Sequence, residues 1–347
     1  MYVLGKNLFI RQLDELVEAE TRFWDGAIDA SSALRQAFLS RPFAVACARA
    51  LGPVVVLVGY GSEGPAFLLP LQRRPGFAGK LGVFEPVGGE LADYFGLLAS
   101  PGVCIQIREL LGATQGAVNA VLFTHLDTSQ AQFGLTWEET RIGLRTRIPD
   151  VDDYWSYQRS VDRKLVGDTD RRSRKLIELL GAPLTFEWES TQSTSDFSWL
   201  VEAKKAQYSR TGKTAAPFFD QAKVQLVSDL YATKDSQCSG LLSVLRCGSR
   251  PIAAHFGLRC RDTLHVWFPV YDPELANYSP GRMLFKHMFC AARENGIRLF
   301  DRGEGDTQAK RDFANEEHEY GRGLWQATGW RGDVAKVALQ LSWRLRA

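Results

Sequence analysis

The chain has 347 residues, 45% hydrophobic and 24% charged, which marks a globular protein with room for two cores of similar size. A formal net charge of +2 is too balanced to argue for a nucleic-acid partner. No apolar run is long enough to span a bilayer, and Met1-Tyr2-Val3-Leu4-Gly5-Lys6 lacks the basic-then-apolar order of a signal peptide, so a cytoplasmic location is expected. Cys47, Cys104, Cys238, Cys247, Cys260 and Cys290 form no Cys-x-x-Cys pair, and no histidine lies at zinc-ligand spacing from them. The expectation is reduced, structural thiols and no metal.

In chain order, residues 7–40 read as helical, with Leu8, Leu13, Leu16, Leu34, Phe38 and Leu39 on apolar faces and Trp24-Asp25-Gly26 as a break. Residues 53–58 and 66–71 read as strands joined by a hairpin at 59–64. That glycine-rich hairpin precedes a strand rather than a helix, so it is not a nucleotide fingerprint. Further strands are expected at 81–87, 118–125 and 144–148. The Pro/Asp cluster Pro149-Asp150-Val151-Asp152-Asp153 predicts a domain boundary. A helical connector follows at 154–180, and its Arg171, Arg172, Arg174 and Lys175 read as a solvated face, with a phosphate or anionic acceptor as the sharper alternative.

Beyond it come a strand at 185–189 and a helix at 196–208 with Phe197, Leu200, Val201 and Lys204 on nearby faces. A loop at Thr211-Gly212-Lys213, a helix at 218–232 and a hairpin of strands at 240–247 and 251–259 complete this stretch. The C-terminal helix, 333–346, is expected to pack on its own domain, with peripheral membrane contact as the alternative.

Residues 264–310 carry the most chemistry. Leu264-His265-Val266-Trp267-Phe268-Pro269-Val270 is a buried strand, followed by turn residues Tyr271-Asp272-Pro273-Glu274. Ser279 suits a helix N-cap and Pro280 the first helical position. Leu284, Met288, Ala291 and Ala292 then share one helix face, and Gly296 suits the C-cap. Residues 297–300 form the next strand, running into Asp301-Arg302-Gly303-Glu304-Gly305-Asp306 and Lys310. Such a crossover places a helix N-terminus, with its free N–H groups and positive dipole end, beside the strand ends, a natural anion site.

The segments Tyr271-Asp272-Pro273, Tyr278-Ser279-Pro280-Gly281, Gly296-Ile297, Phe300-Asp301-x-Gly303-x-Gly305 and Lys310 resemble the CelD-like acyltransferases of the GNAT superfamily. Arg172 to Trp188, Pro251-Ile252-Ala253-Ala254-His255, Arg41-Pro42-Phe43 and Leu69-Pro70-Leu71 extend the resemblance over most of the chain. One departure is Ala309, where many members carry an aromatic residue before the lysine. The resemblance implies an α/β, mixed-sheet, tandem GNAT-like fold. Its expected parts are an N-terminal half at 1–150 without cofactor, an acetyltransferase domain at 151–330 and a C-terminal helix at 331–347. Glu90-Leu91-Ala92-Asp93-Tyr94 echoes Glu274-Leu275-Ala276-Asn277-Tyr278, in keeping with two related halves. Fem-type aminoacyltransferases, a related family, share such tandem halves.

The implied donor is acetyl- or another acyl-coenzyme A, with no metal. Backbone of the strand bearing Val266, Phe268 and Val270 would meet the thioester, and Ser279, Gly281, Arg282 and Met283 the pyrophosphate. Asp301, at a strand end, is the first choice of base or acceptor-orienting group, with capping of its own loop as the structural alternative. Glu304 is the second choice of base. Lys310 would hold an acidic acceptor group, Tyr271 would protonate the leaving thiolate, and His255 has a suitable unperturbed pKa for a base. His265 ranks lower, because its direction depends on strand register.

The expected activity is N- or O-acyl transfer to a sugar, amino sugar or related small acceptor in polysaccharide biosynthesis. The alternatives are tRNA-dependent aminoacyl transfer, which would need a broad basic surface, and a non-catalytic interaction subunit.

Overall fold

The computed structural model describes residues 7–212 and 217–344, so the expectations for 1–6, for Lys213 and for the last three residues of the C-terminal helix lie outside the described residues. The chain divides into two units, Met1–Ile142 with Glu319–Ala347, and Gly143–His318. The first unit opens with β1 (Leu8–Gln12), α1 (Glu18–Ala30) and α2 (Arg41–Leu51). It continues through β2 (Val54–Gly61), β3 (Gly64–Arg73), α3 (Phe77–Lys80), β4 (Val83–Glu85), β5 (Leu98–Ala99), α4 (Ile107–Ala113) and β6 (Ala120–Asp127). Strand β7 (Glu139–Arg147) leads into the second unit. There the order is α5 (Tyr154–Val161), α6 (Arg163–Leu180), β8 (Leu184–Glu187), α7 (Ser193–Arg210), α8 (Gln221–Ala232), β9 (Ser239–Cys247), β10 (Arg250–Cys260) and β11 (Thr263–Tyr271). Then come α9 (Pro280–Ala291), β12 (Leu299–Glu304), α10 (Gln308–Arg311), β13 (Glu316–Gln326) and α11 (Trp330–Arg344).

The strand orders expose the internal repeat. In the first unit β1, β2, β3 and β4 pair antiparallel in sequence, β4 pairs β6 in parallel, and β6 pairs β13 antiparallel. In the second unit β8, β9, β10 and β11 pair antiparallel in sequence, β11 pairs β12 in parallel, and β12 pairs β7 antiparallel. The order and sense of pairing are the same in both units. The echoed segments occupy equivalent places: Gly89–Leu91 and Pro273–Tyr278 are both 3-10 turns that follow the fourth strand of the series.

The closing strand of each unit is out of sequence. β7 comes before the elements of the second unit, and β13 follows all of them. The observed division therefore differs from the expected 1–150, 151–330 and 331–347. Reading by contiguity assigns a strand to the segment beside it, whereas pairing assigns it to the sheet whose edge it completes. Helix α11 packs on α3 and β6 through Ala335, Ala338 and Leu339.

The N-terminal stretch is also corrected. Residues 8–12 form a strand along β2 rather than a helix. Trp24-Asp25-Gly26 does not interrupt α1, because Glu20, Trp24 and Ile28 lie four residues apart on one buried face. The Trp24 indole donates to the Leu39 carbonyl at 2.8 Å, which anchors that face. In the second unit the core joins Leu264, Val266, Leu284, Met288, Phe289 and Phe300, so sheet and α9 share one apolar interior.

Candidate active site

The site is built on the opening between two parallel strands. β11 and β12 pair at Thr263–Leu299, Leu264–Phe300 and His265–Asp301, and no further pair joins them among the described residues. Yet β11 runs on to Tyr271 and β12 to Glu304, so the strands part like a fork. An irregularity assists the parting. Phe256 faces Phe268 but Gly257 faces Val266, leaving Trp267 as an extra residue, and such bulges increase local twist. Gly257 is required there: a Cβ on it would lie 2.3 Å from the His265 carbonyl oxygen. Val266, Phe268 and Val270 all lie on the parted segment, with their side chains buried.

Helix α9 follows β11 after the 3-10 turn Pro273–Tyr278, and its first turn stands beside Tyr271 at the end of the strand. Pro280 holds the first turn as expected, but Ser279 does not cap with its side chain. It adopts φ 56°, ψ 53°, a left-handed conformation, and its carbonyl accepts from Arg282 N at 3.0 Å and Met283 N at 3.3 Å. The expectation that Gly281, Arg282 and Met283 all offer free N–H groups is thus corrected, and Gly281 alone of the three shows no such backbone bond. Serine in this conformation carries a local cost that glycine lacks, so Ser279→Gly is expected to raise stability by up to about 1 kcal/mol. Ser279→Ala then removes no capping bond. Urea titration of the two variants checks this, and a loss in both would restore the capping role.

The Arg282 guanidinium is shared between Asp168 on α6, at 3.0 Å, and Asp312, at 3.1 Å. Asp168 also takes Arg171 and Arg172. Burial works to raise the Asp168 carboxyl, but the hydrogen bonds from these arginines win and hold it at about 2. The arginines singled out on α6 are therefore largely committed to neighbouring carboxylates, and Arg172 also donates to the Asn277 carbonyl before α9.

The fork separates the candidate catalytic residues into two groups. At its closed end Arg145, Asp301 and His265 stand side by side on β7, β12 and β11. Asp301 is fully buried, accepts from Arg145 Nε at 2.8 Å and Gly303 N at 2.9 Å, and lies 3.7 Å from His265 Nδ1. It thus holds its own loop and a buried ion pair. His255 on β10 is also fully buried, and neither ring nitrogen has a hydrogen-bond partner.

Burial pushes His255 down to about 3, helped by its neighbours His265 and Lys204, so it stays neutral in the folded chain. The unfolded chain takes up this proton near pH 6.5, so stability should fall as pH drops from about 6.5 towards about 3, by about 1.4 kcal/mol per unit. His287, pushed down to about 4 by burial, adds in the same direction. His255→Gln is expected to flatten this acid limb in a pH series of urea titrations, and an unchanged slope would contradict the assignment.

Beyond the closed end, Glu304 and Lys310 lie on the β12 side and Tyr271 at the far end of β11. Glu304 is three residues beyond Asp301, about 10 Å along the strand. Lys310 folds back over its own loop, its ammonium donating to the carbonyls of Gly303 at 3.2 Å and Glu304 at 2.6 Å. Tyr271 is 43% exposed, six residues and about 20 Å beyond His265, so it cannot share a point with Asp301. It stands instead beside α9, where a Cβ on Gly281 would lie 3.5 Å from its ring.

Sequence reasoning missed three positioning groups. Arg302 is buried, donates to the carbonyls of Lys310 at 2.7 Å and Ala309 at 2.8 Å, and lies over the Phe285 ring. Burial lowers its pKa to about 10. It fastens α10 to the fork. Arg145 is 156 residues from its partner and has no local signature. Lys204 is buried and donates to the Pro269 carbonyl on the parted strand at 3.1 Å, and its place one turn after Leu200 on an apolar face was its available signal. No cluster of three or more His, Cys, Asp or Glu side chains able to hold a metal occurs among the described residues.

The mixed sheets, with the same strand order in both units, agree with the α/β, tandem GNAT-like fold expected from the sequence. Residues 163–311 match the family described as an acetyltransferase (GNAT) domain, so the matched segment lies within the second unit and supports an acyltransferase. Among solved structures the chain is similar to FemX, at 10% identity and TM-score 0.57, over 91% of this chain and 98% of that one. It is similar also to the C-terminal DUF2156 domain of a proposed lysylphosphatidylglycerol synthetase from Agrobacterium fabrum, at 11% identity and TM-score 0.52, over 92% and 94%. A conserved protein of unknown function from Bacteroides thetaiotaomicron gives 9% identity and TM-score 0.53, over 87% and 97%. A search of the curated proteins finds no match. No helix among the described residues is long and apolar enough to cross a membrane.

Proposed function

We propose that the chain transfers an acyl group from acyl-coenzyme A to an amine or hydroxyl of a sugar, amino sugar or related small acceptor, at the fork of the second unit. The observation that carries the donor site is the parting of β11 from β12 after His265, with the first turn of α9 beside the end of the parted segment. Backbone groups from Val266 to Val270 that point to the opened edge, apart from the Pro269 carbonyl taken by Lys204, are then available to a ligand rather than to a neighbouring strand. Coenzyme A would supply the activated thioester. The Gly281 N–H and the dipole of the twelve-residue α9 suit its pyrophosphate. Arg282, held by two carboxylates, contributes less than the sequence implies.

At the open end Glu304 takes the role of base or acceptor-orienting group in place of Asp301, since Asp301 is fixed at the closed end. Tyr271, beside the first turn of α9, would give its phenolic proton to the leaving thiolate. Lys310 and Arg302 shape the loop that carries Glu304. Positioning and electrostatics of this kind supply most of the acceleration in acyl transfer. The saccharide acceptor and the link to polysaccharide biosynthesis rest on the CelD-like resemblance of Tyr278-Ser279-Pro280-Gly281 and its companions. Transfer from a charged tRNA would call for a broad basic surface, and a net charge of +2 does not provide one.

Mass spectrometry of coenzyme A species co-purified with the protein, followed by calorimetry with acetyl-coenzyme A, tests the reading. Binding that Glu304→Gln leaves intact while abolishing turnover supports it. Absence of any coenzyme A binding overturns it.

A further inference from the structure

We propose that the first unit carries a docking surface for an anionic lipid bilayer, formed by α11 and the α3 region and separate from the transfer site. Helix α11 has two apolar faces. One, with Ala335, Ala338 and Leu339, is buried. The other, with Trp330, Val334 and Val337 at positions i, i+4 and i+7, is exposed at 70%, 42% and 52%. Scattered exposed apolar residues are ordinary, but a stripe in helical register on the outer face is not. Phe77, on α3 against which α11 packs, is exposed at 70%.

The charge beside this stripe selects the occupant. Arg73, Lys80, Trp330, Arg331 and Val334 together line a pocket of about 270 Å³. Arg73 donates to the Gly79 carbonyl and Arg331 to the Gln115 carbonyl, both neutral partners. No carboxylate lies within ion-pair distance of Arg73, Lys80 or Arg331 among the described residues. Asp333, at the edge of the stripe, is hydrogen-bonded by Gln326 and is the one acid of α11's first turn. Uncompensated cations beside exposed tryptophan and phenylalanine match a bilayer interface, where aromatic rings enter the headgroup boundary and basic residues meet lipid phosphates. A purely apolar partner surface would leave these charges unanswered.

Flotation of the full chain tests the proposal, using vesicles of phosphatidylcholine alone and of equal parts phosphatidylcholine and phosphatidylglycerol. The expected result is binding to the anionic vesicles only, weakened by added salt. Lys80→Glu should weaken it by about tenfold, because a cation near the surface is replaced by an anion. Trp330→Ser and, on the other element, Phe77→Ser should each weaken it by about tenfold through lost apolar burial. All three side chains are exposed, so unchanged melting transitions are expected. Failure to bind anionic vesicles, or binding indifferent to all three substitutions, overturns the proposal. So does a dimer in light scattering that Trp330→Ser abolishes, which would give the stripe to a second copy.

Discussion

Asp301→Asn is expected to lower the unfolding free energy by about 3–5 kcal/mol, an effect on stability before any effect on chemistry. The carboxylate is fully buried and its partner Arg145 is largely so, which removes both charges from water. An asparagine keeps one oxygen, so the Gly303 N–H retains an acceptor. Its amide nitrogen or its neutral oxygen then faces the Arg145 Nε now 2.8 Å from a carboxylate, and a buried guanidinium loses its counter-charge. Breaking one half of a buried pair costs far more than replacing both halves. Asp301→Leu combined with Arg145→Met should therefore recover much of the loss, and a double-mutant cycle by urea titration measures the coupling. A stable Asp301→Asn variant with collapsed turnover would return Asp301 to the role of base.

That prediction reverses the sequence-level ranking, and the reason lies in what local pattern can carry. The strand at 264–270, the proline-started helix and the loop at 301–306 were legible because period, turn residues and punctuation are local signals. The position of Asp301 within the fork was not legible. Its side chain faces Arg145, contributed by a strand 156 residues earlier, and nothing in the intervening sequence announces the pairing. Ser279 illustrates the opposite failure: the residue type fits an N-cap, but the chain enters α9 through a left-handed turn, so backbone carbonyl replaces side-chain oxygen. The division of the chain was hidden for a third reason. β7 and β13 each complete a sheet away from their sequence neighbours, and contiguity cannot reveal an exchanged edge. The tandem order itself did leave a trace, in the echo between Glu90–Tyr94 and Glu274–Tyr278, because both segments make the same turn after the same strand.

Gly281→Glu is expected to weaken coenzyme A binding by about a hundredfold while the fold is kept or strengthened. The two halves of this expectation come from one position. Gly281 lies in the first turn of α9, where its φ is not left-handed and an added Cβ meets nothing closer than the Tyr271 ring at 3.5 Å. A side chain is thus sterically admissible, and replacing a helical glycine relieves up to about 1 kcal/mol of backbone entropy. An acidic residue in the first turn also suits the positive end of the helix dipole, worth about 0.3–1 kcal/mol. Those same features would hold a pyrophosphate, so a carboxylate there competes with the ligand by charge and by volume. Juxtaposed like charges cost several kcal/mol, which supports the hundredfold figure on the scale of about 1.4 kcal/mol per decade. Gly281→Ala separates the terms, since it fills space and favours the helix without adding charge, and its affinity loss should be smaller. Calorimetry gives the affinities and thermal melting the stability. Should Gly281→Glu bind coenzyme A as the parent does, the pyrophosphate lies away from the start of α9, and the donor would have to be held by the fork alone.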